Sequence, residues 1–133
     1  MLDKSTIEMY CLAVRARGPK LSPEKKTVVS TLRAADRIRR HFQGIFASRG
    51  LSLQQFNVLR ILRGAGQDGL PTLEVAERMI EKTPGVTRLL DRLEEKGWVS
   101  RERCRRDRRR VYCRITPTGL DLLAELDEPV EQA

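Results

Sequence analysis

The sequence predicts a mainly α fold: a helix-turn-helix followed by a β-hairpin wing, with flanking helices suited to dimerisation. Three observations carry that prediction. A short helix and a longer amphipathic one succeed each other over residues 72–96, with only a brief turn, IEKT, between them. A strand start at Trp98-Val99 and an apolar alternation of period two at Val111, Cys113 and Ile115 then flank CRRDRRR, a hairpin tip almost without apolar residues. Positive charge is concentrated at the same place, since residues 96–114 hold nine Lys/Arg against Glu102 and Asp107, a balance of +7.

The elements follow in order. Ser5 with Glu8 makes an S-x-x-E capping pattern, and Ile7, Tyr10/Cys11 and Val14 recur at helical spacing, so a helix is expected over Ser5–Arg17, stopped by Gly18-Pro19. Ser22-Pro23 starts a second helix, with serine as N-cap and proline in the first turn, running to Arg49 and ended by Gly50. Val28, Leu32, Ala35, Ile38, Phe42 and Ile45 form one apolar stripe along it, with Arg33, Arg37 and Arg40 on another face. Such a stripe is expected to pack on a partner. Ser52 and Gln55 repeat the capping box ahead of Phe56, Leu59 and Leu62, and Gly64 and Gly66 close this helix. Thr72 is expected to cap the short helix LEVAERM, with Val75, Ala76 and Met79 inward. Thr83-Pro84 opens PGVTRLLDRLEEK, whose Val86, Leu89, Leu90 and Leu93 share one side, and Gly97 closes it. Trp98-Val99 begins a strand, Val111, Cys113 and Ile115 alternate with Tyr112 and Arg114, and Thr116-Pro117 caps a last helix that Pro129 is expected to end.

At 133 residues there is room for one core. No apolar run approaches the roughly 18 residues of a membrane span, and MLDKSTIEMY lacks the features of a secretory signal. A cytoplasmic protein without a membrane partner is expected. Charge is distributed in blocks: residues 1–48 carry +6, residues 49–95 cancel, and residues 115–133 carry five acids and no Lys or Arg. Eight of the nine bases in residues 96–114 are arginine, whose planar fork suits phosphates and base edges. Polyanion binding explains this better than a solvated surface, which would mix the signs.

A helix enters the major groove with its N-terminal residues at the base edges, and arginine suits the narrow minor groove next door. The candidate DNA-binding residues are therefore Thr72, Thr83, Pro84, Gly85, Thr87, Arg88 and Arg92, with Arg105, Arg106, Arg108, Arg109 and Arg110 on the hairpin. The bland alternative for Arg88 and Arg92 is a solvated face that pairs with Asp91 and Glu95. No Ser/His/Asp, Cys/His or phosphate-loop arrangement is present, so no enzyme and no cofactor is expected. Cys11, Cys104, Cys113 and the single His41 make a poor zinc set, and no metal is expected.

LSLQQFNVLRILRGAG, then VTRLLDRLEEKGWVSR, then D-R-R followed by a strand and I-T-P-T-G, resembles the MarR family of transcriptional regulators over roughly residues 28–127. The resemblance implies that residues 83–96 form the recognition helix. It also implies that Asp107 braces the wing while Arg109 enters the minor groove, and that the chain is a homodimer on a pseudo-palindromic operator, with repression its usual action. It implies three regions: residues 1–50 for dimerisation, residues 51–116 as the DNA-binding domain, and residues 117–133 as a short helix on the dimerisation side. Members end in a long pair of C-terminal helices, whereas this chain stops at Ala133, so the helix from Ser5 to Arg17 is expected to take over part of that contact.

Many members of that family sense a small phenolic or aromatic anion, for which His41, Phe42, Phe46 and Phe56 are the candidate pocket; plain packing of these rings is the other reading. Two other classes of function stand beside this one: a thiol-based redox regulator, with Cys11 as sensor, and a protein-interaction module on a winged-helix scaffold. The second would carry a neutral or acidic wing. For Cys104 and Cys113, pairing of Arg106 with Val111 would set the two thiols opposite each other, within reach of a disulfide. Quiet packing of both cysteines is the expectation.

Overall fold

The computed structural model describes residues 21–80, 85–104, 107 and 109–133. The chain divides into two units, one ending at Arg40 and one comprising His41–Ala133. Helix α1, Pro23–Ala47, runs through the division. In the first unit it starts as expected, with the Lys25 amide donating to Ser22 Oγ at 3.4 Å. Thr27 and Thr31 donate back to the Pro23 and Thr27 carbonyls. Val29 is buried, whereas Val28, Leu32 and Ile38 are 42%, 37% and 57% exposed. The upper part of the stripe is thus open in a single chain.

In the second unit the same helix turns Phe46 into the core, with Phe42 and Ile45 packed against it. It ends in a Schellman arrangement: the Leu51 amide donates to the Phe46 carbonyl and the Gly50 amide to that of Ala47. Gly50 supplies the required positive φ of 66°. Helix α2, Leu53–Ala65, carries the predicted capping box, with the Gln55 amide on Ser52 Oγ at 3.1 Å and the Ser52 amide on Gln55 Oε1 at 3.0 Å. Gln43 also binds both the Leu51 carbonyl and the Leu53 amide, so the α1–α2 turn is bonded through side chains. Phe56, Val58, Leu59 and Leu62 point α2 into the core.

After the short 3₁₀ turn Gly66–Asp68 comes a strand that the periodicity did not reveal, β1 at Leu70–Pro71. It pairs with Cys113 and Tyr112 of β3. Two residues show no alternation, so only the pairing itself identifies them. Gly69 makes the approach feasible, because a Cβ there would lie 2.4 Å from the Cys113 carbonyl oxygen. Helices α3, Thr72–Arg78, and α4, Val86–Glu95, follow. Strands β2, Val99–Arg103, and β3, Val111–Ile115, complete an antiparallel sheet of order β1-β3-β2.

Three readings need correction. Thr72 does not cap α3; it is the first helical residue, and its hydroxyl donates to the Val111 carbonyl at 3.3 Å. The hairpin register pairs Arg101 with Cys113 and Arg103 with Val111, not Arg106 with Val111. The three-residue shift is odd, which places Cys104 and Cys113 on opposite faces of the hairpin. Cys113 is fully buried between the sheet and Thr72, and both thiols are free. Helix α5 runs from Pro117 to Glu131 with Pro129 inside it. A proline in the final turn deletes only one backbone bond, and the Gln132 amide still reaches the Glu128 carbonyl.

The cap of α5 is the predicted one, the Gly119 amide on Thr116 Oγ1 at 3.1 Å. Gly119 is required there, since a Cβ would meet the Trp98 carbonyl oxygen at 2.4 Å. Leu123 and Leu126 seat α5 in the shared core beside α2.

Candidate nucleic-acid interface

The helix-turn-helix is positioned from below by α2. Asn57 on that helix accepts from the Ile80 amide at 3.2 Å, which fixes the chain leaving α3. Val75 from α3, Met79 just after it, and Val86, Leu89, Leu90 and Leu93 from α4 are buried in one cluster. Burying that face leaves Thr87, Arg88 and Arg92 exposed along a single ridge, as the spacing predicted. Gly85 stands at the N-cap of α4 with open space around it. Thr83 and Pro84, where the sequence places the start of this helix, lie outside the described residues. Gly97, with φ of 74°, closes α4 through the same Schellman pattern seen after α1.

Two of the acids of α4, Asp91 and Glu94, are held by a neighbouring strand. Arg101, on β2, places Nη2 at 2.6 Å from Asp91 Oδ1 and at 2.6 Å from Glu94 Oε2. Its Nε is 2.8 Å from Glu94 Oε2, and its own amide donates to Glu94 Oε1 at 3.1 Å. These hydrogen bonds, that to Glu94 first, raise the guanidinium further above its ordinary range. Among the described residues, neither Arg88 nor Arg92 has an ion-pair partner. The reading in which they pair with Asp91 and Glu95 is not what this geometry presents.

Other bases of the +7 segment also have partners within the chain. Lys96 lies 4.7 Å from the centre of the Trp98 ring and donates to the Gly50 carbonyl. Arg114 binds the Gln67 carbonyl at 2.9 Å and Glu102 at 3.1 Å. The sequence counted these bases, with Arg101, as one basic cluster. Parity alone could not single out Arg101, because Arg103 shares the face of Val99 and is exposed; the contact with Asp91 and Glu94 distinguishes it.

At the hairpin tip Asp107 organises the backbone. Its Oδ1 accepts from the Arg109 amide at 3.0 Å and its carbonyl from the Arg110 amide at 2.9 Å. The Cys104 amide donates to the Arg110 carbonyl at 2.9 Å and closes the loop. Arg109 and Arg110 are exposed, the latter in a loose 3.7 Å pair with Asp107. Arg105, Arg106 and Arg108 lie outside the described residues.

The aromatic residues singled out near the end of α1 form a series of rings. Phe46 and Phe56 stack at 4.1 Å, Phe42 stacks on Phe46 at 6.0 Å, and His41 meets Phe42 edge-on at 5.9 Å. Phe46 and Phe56 are buried, Phe42 is half-buried and His41 is exposed. Among the described residues, no helix is long and apolar enough to cross a membrane, and no group of three or more metal-binding side chains is gathered.

Comparison with known proteins agrees with this architecture. Residues 51–111 match the MarR family. The HTH-type transcriptional regulator PecS of Dickeya dadantii is 30% identical over 116 residues, which is 86% of this chain and 70% of PecS. The crystal structure of a MarR transcription factor from Planctomyces limnophilus superposes with a TM-score of 0.76 at 38% identity, covering 86% of this chain and 82% of that one. NadR, solved in complex with 4-hydroxyphenylacetate, superposes at 0.68 with 27% identity, covering 86% and 79%. With the winged hairpin, the buried helix-turn-helix core and this extent of similarity, the chain belongs to the MarR family of HTH-type transcriptional regulators.

Proposed function

We propose that this regulator reads duplex DNA as a homodimer, with α4 in the major groove and the wing tip in the adjacent minor groove. The observation that carries the reading is the ridge of Thr87, Arg88 and Arg92, exposed and without acidic partners among the described residues, beside a hairpin tip bearing Arg109 and Arg110. Arg88 is suited to a guanine edge and Arg109 to the minor groove, with Asp107 holding the tip. Thr72, its hydroxyl bonded to the wing strand, supports the site from behind.

Residues 51–116 are the reading part, and residues 1–50 and 117–133 serve dimerisation. Support for the dimer comes from the open stripe of Val28, Leu32 and Ile38. The two-fold arrangement calls for a pseudo-palindromic operator with half-sites about one helical turn apart. Occlusion of a promoter by the bound dimer makes it a repressor, acting in the cytoplasm where the DNA is. A small phenolic anion, of the kind bound by NadR, is the proposed effector, meeting the exposed His41 and half-buried Phe42.

The test is enrichment of a duplex from a randomised pool by the purified protein, followed by binding titrations at two salt concentrations. Convergence on an inverted repeat is expected, with release on addition of 4-hydroxyphenylacetate. Failure to enrich any sequence would overturn the DNA-reading proposal, and unchanged binding with the phenolic acid would overturn the effector alone.

A further inference from the structure

We propose that Arg101 is a positioning residue for DNA reading: by holding Asp91 on the wing side of α4, together with Glu94, it keeps the Asp91 carboxylate off Arg88. The proposal rests on the DNA-binding reading above and deepens it.

Helix α4 carries its own potential neutralisers. Arg88 and Asp91 are three residues apart, as are Arg92 and Glu95, and residues at that spacing are neighbours on a helix surface. An arginine paired with its own helix's carboxylate has fewer donors left for a base edge, and its field is partly cancelled before any phosphate arrives. Here Asp91 and Glu94 are both taken by one guanidinium from β2. The clamp is the least exposed of the three side chains, 23% against 48% for Asp91 and 40% for Glu94. A neighbouring strand therefore holds Asp91, the carboxylate within helical reach of Arg88, along with Glu94.

The side-chain type matters. Arginine's planar fork reaches two carboxylates at once, while lysine offers a single compact charge. The Arg101 amide also bonds Glu94, so the strand backbone is registered to the helix along with the side chain. Since β2 leads directly to the hairpin tip, the same clamp sets the wing at a defined place beside the reading ridge.

The roles can be separated because they predict opposite signs for Asp91. If Arg101 matters only as a brace, removing Asp91 takes away half of the brace and should weaken binding. If it matters by sequestering the acid, removing Asp91 makes the sequestration unnecessary. The experiment titrates the parent, R101K, D91N and the double variant against the duplex that the parent enriches from a randomised pool, with thermal midpoints recorded alongside. R101K is expected to bind about tenfold more weakly, the scale of one lost base contact. Adding D91N to R101K is expected to restore affinity to within about threefold of the parent, and D91N alone to bind at least as tightly as the parent. D91N binding more than about threefold more weakly than the parent, or failing to restore R101K, would overturn the proposal. D91N removes one carboxylate from a half-exposed position, so it reads out even if R101K proves unstable. A parent that enriches no duplex would overturn the DNA-binding reading and this inference with it.

Discussion

Arg63 on α2 places one guanidinium nitrogen 3.0 Å from Asp127 Oδ1 and 2.9 Å from Oδ2, joining the last helix to the helix that supports the recognition unit. The contact, together with the Arg49–Glu125 pair, fastens α5 over a core already closed by Leu123 and Leu126. The hydrogen bond from Arg63 holds the Asp127 carboxyl below its ordinary range. Its contribution to stability is therefore fully present above the unfolded carboxyl's pKa of about 4 and is lost as pH falls through the lower folded value. Both partners are partly exposed, at 35% and 44%, so screening limits the pair to about 0.5 kcal/mol. Urea titrations of parent and Asp127→Asn are expected to differ by that amount at pH 7 and to converge near pH 2. A difference that persisted at pH 2 would assign the effect to packing instead.

Arg88→Ala is expected to cost about 1–3 kcal/mol on the enriched duplex and to relax preference at one base step. Arg109→Ala should weaken binding with little change in the preferred major-groove sequence, because the minor groove distinguishes bases poorly. Repeating the enrichment with each variant checks both. Identical sequence preferences from the parent and Arg88→Ala would place the reading ridge elsewhere.

Ile38 is 57% exposed on the open part of the α1 stripe. Ile38→Asp is expected to shift sedimentation from dimer to monomer at micromolar concentration, while leaving the fold of His41–Ala133 intact by circular dichroism. A dimer that tolerates the aspartate would move the subunit contact off this face.

Cys113 and Cys104 should differ in reactivity by orders of magnitude. Burial, the largest influence, pushes the Cys113 thiol up, whereas Cys104 is half-exposed on the opposite face of the hairpin. Alkylation followed by peptide mapping is expected to label Cys104 under native conditions and Cys113 only after unfolding. Mild peroxide is expected to leave no Cys104–Cys113 disulfide, and finding one would require a hairpin register different from Arg101↔Cys113.

What the sequence by itself determined are features whose causes lie within a few residues of one another. The capping box of Ser52 and Gln55, the Thr116 cap and the glycine stops at Gly50 and Gly97 each close a hydrogen bond over three to five positions, so the residue types suffice to foretell them. The buried face of α4 was legible for the same reason, since helical periodicity is local, and with it the exposed ridge of Thr87, Arg88 and Arg92. Tertiary structure decided the rest. The hairpin register, the two-residue strand β1 and the Thr72 hydrogen bond to Val111 depend on which groups meet across 8 to 43 residues of chain. Arg101 is the clearest instance. By composition it belongs with the other arginines of the +7 segment. The pairing of β2 with β3 and the packing of both on α4 turn it toward Asp91 and Glu94, where two carboxylates hold it more firmly than water would.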